Sequence, residues 1–180
     1  MNPQTALQLP LTKLIRERHS VRSFDTGRPI SEEDLRTILE AGRLAPSATN
    51  AQPWHFYHLK SEEAREKICS CYKPAWFADA AEVILIVGNE DEPWTFKDGR
   101  NNALYIDSAI ATAYMQLQAW ELGIGSVWIC AFDRPRCAEL FGLKMGEHTP
   151  ISILALGYPS TDHKPGKKVR KPLTEVLTTL

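Results

Sequence analysis

The sequence has almost no charge excess: 21 basic side chains against 22 acidic ones leave a formal net charge of -1. Proteins that grip nucleic acid through its phosphates usually carry a basic surplus, so this balance argues against that partner. Long apolar runs are missing too. The longest, residues 83–87, falls far short of the roughly 20 residues a bilayer-spanning helix needs. Residues 1–11 have neither a basic start nor an apolar core, which predicts no export signal and a cytoplasmic protein. Cysteine is sparse. Cys69 and Cys71 form a C-x-C, whereas Cys130 and Cys137 have six residues between them. Structural zinc sites favour two to four residues within a ligand pair, so the four thiols are expected to be reduced and metal-free. The nucleophile elbow G-x-S-x-G, the zinc-protease motif H-E-x-x-H and the phosphate loop G-x-x-x-x-G-K-[ST] are all lacking, which excludes the commonest hydrolases and P-loop enzymes. Gly123-x-Gly125 lacks a third glycine and closes a helix, so it is not a dinucleotide fingerprint.

What is present suits one well-packed domain: 180 residues, 43% hydrophobic and 24% charged. Residues 105–122 contain no Pro or Gly and are apolar on nearly every side of a helical wheel, which predicts a buried helix. Asn101 and Asn102 are suited to cap its start, and Gly123 to end it in the left-handed conformation. Ser108, Ala109, Thr112, Ala113 and Gln116 recur at helical spacing and line one face mainly with small side chains. Upstream, residues 11–18 predict a short amphipathic helix with Leu11, Leu14 and Ile15 on one side. Ser31 caps a second helix, with Leu35, Ile38, Leu39 and Leu44 on its buried face and Pro46 ending it. Strands are expected at 55–59, 80–88, 126–129 and 151–157, and further short helices at 61–68 and 135–141. Helices and strands in this order predict a single α+β domain over residues 1–180, with a basic tail from about 158.

Three clusters are candidates for chemistry. In Arg18-His19-Ser20-Val21-Arg22, two arginines four apart flank a serine. Their guanidinium forks and the hydroxyl can converge on one anion; alone, the stretch reads more readily as a solvated basic turn. His163, Lys164, Lys167, Lys168, Arg170 and Lys171 form a second basic cluster, either a disordered tail or an extended segment. Docked beside Arg18 and Arg22, it would complete a phosphate clamp from both termini. The third cluster is residues 46–54, where Ser47, Thr49, Asn50 and Gln52 lie between two prolines. It is either a plain structural loop or a rigid amide-rich one matched to the edge of a planar heterocycle.

Taken together, these stretches resemble the nitroreductase family of FMN-dependent enzymes, from about Leu11 to Pro172. The likeness is carried by Arg18-His19-Ser20-Val21-Arg22-Ser23-Phe24, by residues 45–56 around Pro46-Ser47-Ala48-Thr49-Asn50, and by residues 121–129. It continues in Leu156-Gly157-Tyr158-Pro159 and in Lys168-x-Arg170-x-Pro172. The resemblance implies a central, mostly antiparallel sheet flanked by helices, in an intertwined homodimer with FMN at the interface. It implies that Arg18, His19, Ser20 and Arg22, joined by Lys168 and Arg170, hold the phosphate and ribityl end. It further implies that Pro46, Ser47, Ala48 and Asn50 reach the flavin from the other subunit, and that Ile129 and Cys130 lie at its ring. Cys130 departs from the family pattern, in which glycine is common at this position. NADH or NADPH would be the electron donor and an electron-poor small molecule, such as a nitroaromatic or quinone, the acceptor, by ping-pong kinetics. No catalytic side chain is then required, since the flavin carries the chemistry. Alternatives within this resemblance are dehalogenation, oxidation of a peptide-derived ring, or flavin binding without turnover. Trp94 and Phe96, in the polar loop 89–99, are either part of the pocket wall or ordinary loop anchors.

Overall fold

In the computed structural model, residues 9–97, 99 and 101–180 are described. Most of the stretch on which the export expectation rests, and Asp98 of the polar loop, lie outside the described residues. The order of elements is α1 (Pro10–Glu17), α2 (Glu32–Arg43), β1 (Trp54–His58), α3 (Glu62–Cys71), β2 (Glu82–Gly88), α4 (Leu104–Glu121), β3 (Gly125–Ile129), α5 (Arg134–Phe141), β4 (Thr149–Gly157) and α6 (Leu173–Val176). The four strands form one sheet in the order β1-β2-β4-β3, every pair antiparallel. Helix α3 outruns its expected end at Ile68, and β4 begins two residues earlier than expected.

The apolar run in β2 is explained by the two faces of the sheet. Val83, Leu85 and Val87 point into a core with Phe77, Ile68, Val127, Ile153 and Cys137. Ile84 and Ile86 point the other way, against Ile38, Met115, Ala119, Leu154 and Leu156. Side chains alternate along a strand, so a sheet covered on both faces has mainly apolar middle strands, with Thr149 and Ser152 of β4 as buried polar exceptions.

Helix α2 begins as expected, with Ser31 Oγ accepting the Asp34 N–H at 3.0 Å. At the start of α4, Asn102 Oδ1 accepts the Leu104 N–H at 3.2 Å, although Ala103 occupies the cap position itself. Gly123 takes φ 75° and ends the helix. Two expectations of burial fail within this chain: Tyr105, Ile106 and Tyr114 leave one side of α4 exposed, and Leu44 is exposed at the end of α2. Leu11 and Ile15, on the apolar side of α1, are exposed as well. The wheel patterns marked these residues as apolar; they did not show that this chain alone leaves those faces uncovered.

The feature that positions the site is an edge segment, residues 19–24, lying beside β3 and β4. Val21 N–H donates to Ser126 O at 3.0 Å, Asp25 N–H to Tyr158 O at 2.8 Å and Ser160 N–H to Ser23 O at 3.1 Å. Two glycines permit this approach. A Cβ on Gly125 would stand 2.7 Å from Val21 Cγ2, and one on Gly157 would stand 2.7 Å from Phe24 Cδ1. Val21 is fully buried by the contact, worth about 1.5–3 kcal/mol.

Candidate functional site

The two basic clusters meet. The strand-like segment after α1 and the strap that follows β4 cross at a cavity of about 210 Å3. It is lined by Arg18, His19, Ser20, Arg22, Gly166, Lys167, Lys168 and Arg170. Every lining side chain that carries a full charge is cationic. Burial, and then the neighbouring Arg170, pushes Arg18 below the ordinary guanidinium value. Burial, followed by Arg18 and Arg170, likewise pushes Lys168 down. Cations that raise the cost of each other's charge, with no carboxylate among the described residues that line the cavity, make a site electrostatically suited to an anion. Among the described residues no hydrogen bond engages the guanidinium of Arg18 or Arg22, and Arg170 donates only to its own neighbour's carbonyl, Val169 O, at 2.8 Å. Together with the Ser20 hydroxyl, these donors fit a phosphate monoester.

Three ties hold the crossing together. Ser23 Oγ and Ser160 Oγ share a hydrogen bond of 2.6 Å. His19 Nε2 and His163 Nε2 stand 3.1 Å apart, their rings parallel with centroids 5.3 Å apart. His19 Nδ1 donates to Glu17 O at 3.0 Å, and its ring meets the edge of Trp120. Burial first, and then the His19 ring, hold the His163 imidazole below its usual 6.5, with Asp162 opposing them. Lys168 Nζ makes the third tie: it donates to Ile15 O, Arg16 O and Arg18 O at 2.7, 2.6 and 2.7 Å.

The 46–54 loop does not line this cavity. It contains a short 3-10 turn, Ala48–Asn50, and three non-glycine residues with positive φ: Thr49 (53°), Asn50 (59°) and Gln52 (51°). Such conformations cost of order 1–3 kcal/mol each and persist where surroundings enforce them. Here Ser47 Oγ accepts the Gln52 N–H at 2.9 Å, and Asp107 Oδ1 accepts the Ala48 N–H at 3.0 Å. Asp107 is only 1% exposed, and its Oδ2 has no hydrogen-bond partner among the described residues. Sequence reasoning passed over Asp107. Its signal was available, as the one acid in the otherwise uncharged stretch from Tyr105 to Trp120.

The remaining expected site residues are dispersed. Pro46 is exposed, and Ser47 and Ala48 are half-buried. Ile129 is buried at the end of β3 and Cys130 is exposed immediately after it. Trp94 and Phe96 pack edge to face, centroids 4.8 Å apart, each still more than a third exposed. All four cysteines are free thiols, and burial pushes Cys137 up to about 12.

Comparison with known proteins agrees with this architecture. The family model described as the nitroreductase family matches residues 15–73 and 68–158. An Archaeoglobus fulgidus protein, provisionally assigned as an NADH dehydrogenase/NAD(P)H nitroreductase, is 32% identical over 83% of this chain and 86% of its own. A nitroreductase family protein from Clostridium difficile, solved by crystallography, superposes with a TM-score of 0.83 at 34% identity, covering 93% of this chain and 98% of its own. An Exiguobacterium sibiricum protein, provisionally assigned as a nitroreductase and solved in complex with FMN, shares the fold at 22% identity, with a TM-score of 0.79 over 94% of this chain and 97% of its own. With the sheet, the crossing of the two termini and these matches in agreement, the chain belongs to the nitroreductase family.

Proposed function

We propose that this chain is an FMN-dependent oxidoreductase that takes hydride from NADH or NADPH and reduces electron-poor small molecules. The observation that carries the reading is the cationic cavity at the crossing of the termini, whose donors match the phosphate of FMN. When bound, FMN would supply the hydride and electron transfer, in alternating half-reactions with donor and acceptor. Arg18, Arg22 and Arg170 hold the phosphate, and Ser20 adds a hydroxyl beside it. Residues 19–24 are fastened to β3 and to the segment that follows β4, so the backbone that carries Ser20 and Arg22 is set before the cofactor arrives.

In this reading the protein works as a homodimer. The exposed Tyr105, Ile106 and Tyr114 of α4, with Leu11, Ile15 and Leu44, support a second copy covering them. Pro46, Ser47, Ala48 and Asn50 would then meet the ring from the partner, and Ile129 and Cys130 from the chain that holds the phosphate. No described helix is long and apolar enough to cross a membrane, and the reading has the enzyme act in the cytoplasm.

The experiment is an absorbance spectrum of the freshly purified protein, the released chromophore identified by mass, followed by anaerobic addition of NADH or NADPH. FMN bands that bleach with the nicotinamide and return with a quinone or nitroaromatic support the enzyme. Bound FMN that no nicotinamide reduces would make the protein a flavin carrier instead.

A further inference from the structure

We propose that Lys168 is a positioning residue: it fastens the carboxy-terminal strap to the end of α1 and so sets the arginines that meet the anion. The inference rests on the FMN reading for the identity of the anion, and on the structure alone for the role of the lysine.

An ammonium group has three donors and no acceptor. All three of Lys168 are engaged with Ile15 O, Arg16 O and Arg18 O, at 2.6 to 2.7 Å. These carbonyls need a donor. Helix α1 ends at Glu17, and Arg18 turns away with φ -51° and ψ 129°, so the last carbonyls have no intrahelical N–H. The carbonyl end of a helix also carries partial negative charge, which favours a cation there. Lys168 supplies it from 150 residues away in sequence.

The consequence is geometric. The bond to Arg18 O fixes the turn from which the Arg18, His19 and Ser20 side chains leave. The same bonds set the strap beside that turn, so Arg170, two residues further on, overhangs the cavity. Arg170 is the reverse case. It is exposed, and among the described residues its guanidinium donates only to Val169 O, which leaves its outward N–H groups to meet an anion. Residue type follows task here: a tetrahedral ammonium suits three converging carbonyls, and a planar guanidinium suits phosphate oxygens.

The test compares Lys168→Met with Arg170→Met, first without flavin. Both substitutions remove a cation from among like charges, since Arg18 and Arg170 disfavour the charge of Lys168. A residue that serves only the anion would therefore raise the apo melting temperature, or leave it unchanged, when removed. For Lys168→Met we expect the melting temperature of the flavin-free protein to fall by about 2–4 °C. Amide exchange at Arg18 and Ser160 should accelerate at least tenfold. Arg170→Met should leave both at or above wild-type values. FMN affinity should fall about tenfold or more in both variants, while riboflavin affinity should fall only in Lys168→Met, where the walls of the site have loosened. An unchanged or raised melting temperature with unchanged exchange in Lys168→Met would overturn the inference. If the wild-type protein takes up no FMN, the cofactor reading fails, and the flavin-free measurements still decide the role of Lys168.

Discussion

The cationic cavity and the 46–54 loop, which the proposed function makes the two ends of one flavin site, are built on different principles. At the cavity, residues 9–24 and 158–171 cross within one chain, relaxed in backbone and rich in unneutralised positive charge. In the 46–54 loop the charge is absent and the backbone is strained: three non-glycine residues sit at positive φ, pinned by Ser47 and by the buried carboxylate of Asp107. The first end recognises by charge and needs only side-chain reach. The second presents amide groups in a fixed direction and depends on conformation. A charge-based end should therefore lose ligand when an arginine is lost, and a conformation-based end when a strut is lost.

The largest effect is expected where the crossing itself is broken. Gly157→Ala would drive a methyl group into the Phe24 ring, and Gly125→Ala one into Val21. Each should cost about 3 kcal/mol by chemical denaturation, near the upper end for overpacked cores, with the phosphate end lost and the 46–54 loop unchanged. Arg22→Ala and Arg170→Ala sharpen the comparison from the charge side. Each should weaken FMN binding by about 1–3 kcal/mol, the scale of a hydrogen bond to a charged group, with little change in unfolding. Asp107→Ala probes the other end. Removing the acceptor of the Ala48 N–H should cost about 1–2 kcal/mol of stability and loosen the loop to hydrogen exchange, with exchange at Ser160 unchanged. If Asp107→Ala loosened the strap as well, the two ends would not be separable.

The smallest effect is acidic. The His163 imidazole titrates below its usual 6.5 in the folded protein, because burial and the His19 ring disfavour its charged form. The tie to His19 is thus fully present above pH 6.5 and weakens as pH falls from there towards the folded value, where the unfolded chain binds the extra proton more readily. Exchange of the strap amides in flavin-free protein should accelerate on acidification through that window. His163→Gln should abolish the pH dependence, and its persistence in that variant would remove His163 from the account.

How much of this was legible in the sequence follows the same division. The strand of residues 83–87, the capped start at Ser31 and the Gly123 helix end were visible because period, cap chemistry and glycine conformation are local properties. The arginine and lysine clusters were visible as charge, and their meeting followed from the resemblance of the whole chain. Roles within the cluster were not visible. Lys168 and Arg170 read alike as cations, and only the carbonyls at the end of α1 distinguish them. The strain at Thr49, Asn50 and Gln52 was also hidden, because no glycine announces it. Nor could a helical wheel show that Tyr105, Ile106 and Tyr114 stay exposed in one chain.

The account's central claim is that the arginines at the crossing hold a phosphate. Its most direct test is the ratio of FMN to riboflavin affinity, measured by fluorescence titration in the wild-type protein and in the Arg22→Ala/Arg170→Ala double variant. A strong preference for FMN that collapses in the double variant, with riboflavin affinity unchanged, is the predicted result. Equal affinity for the two flavins in the wild type, or a preference that survives loss of both arginines, would contradict it.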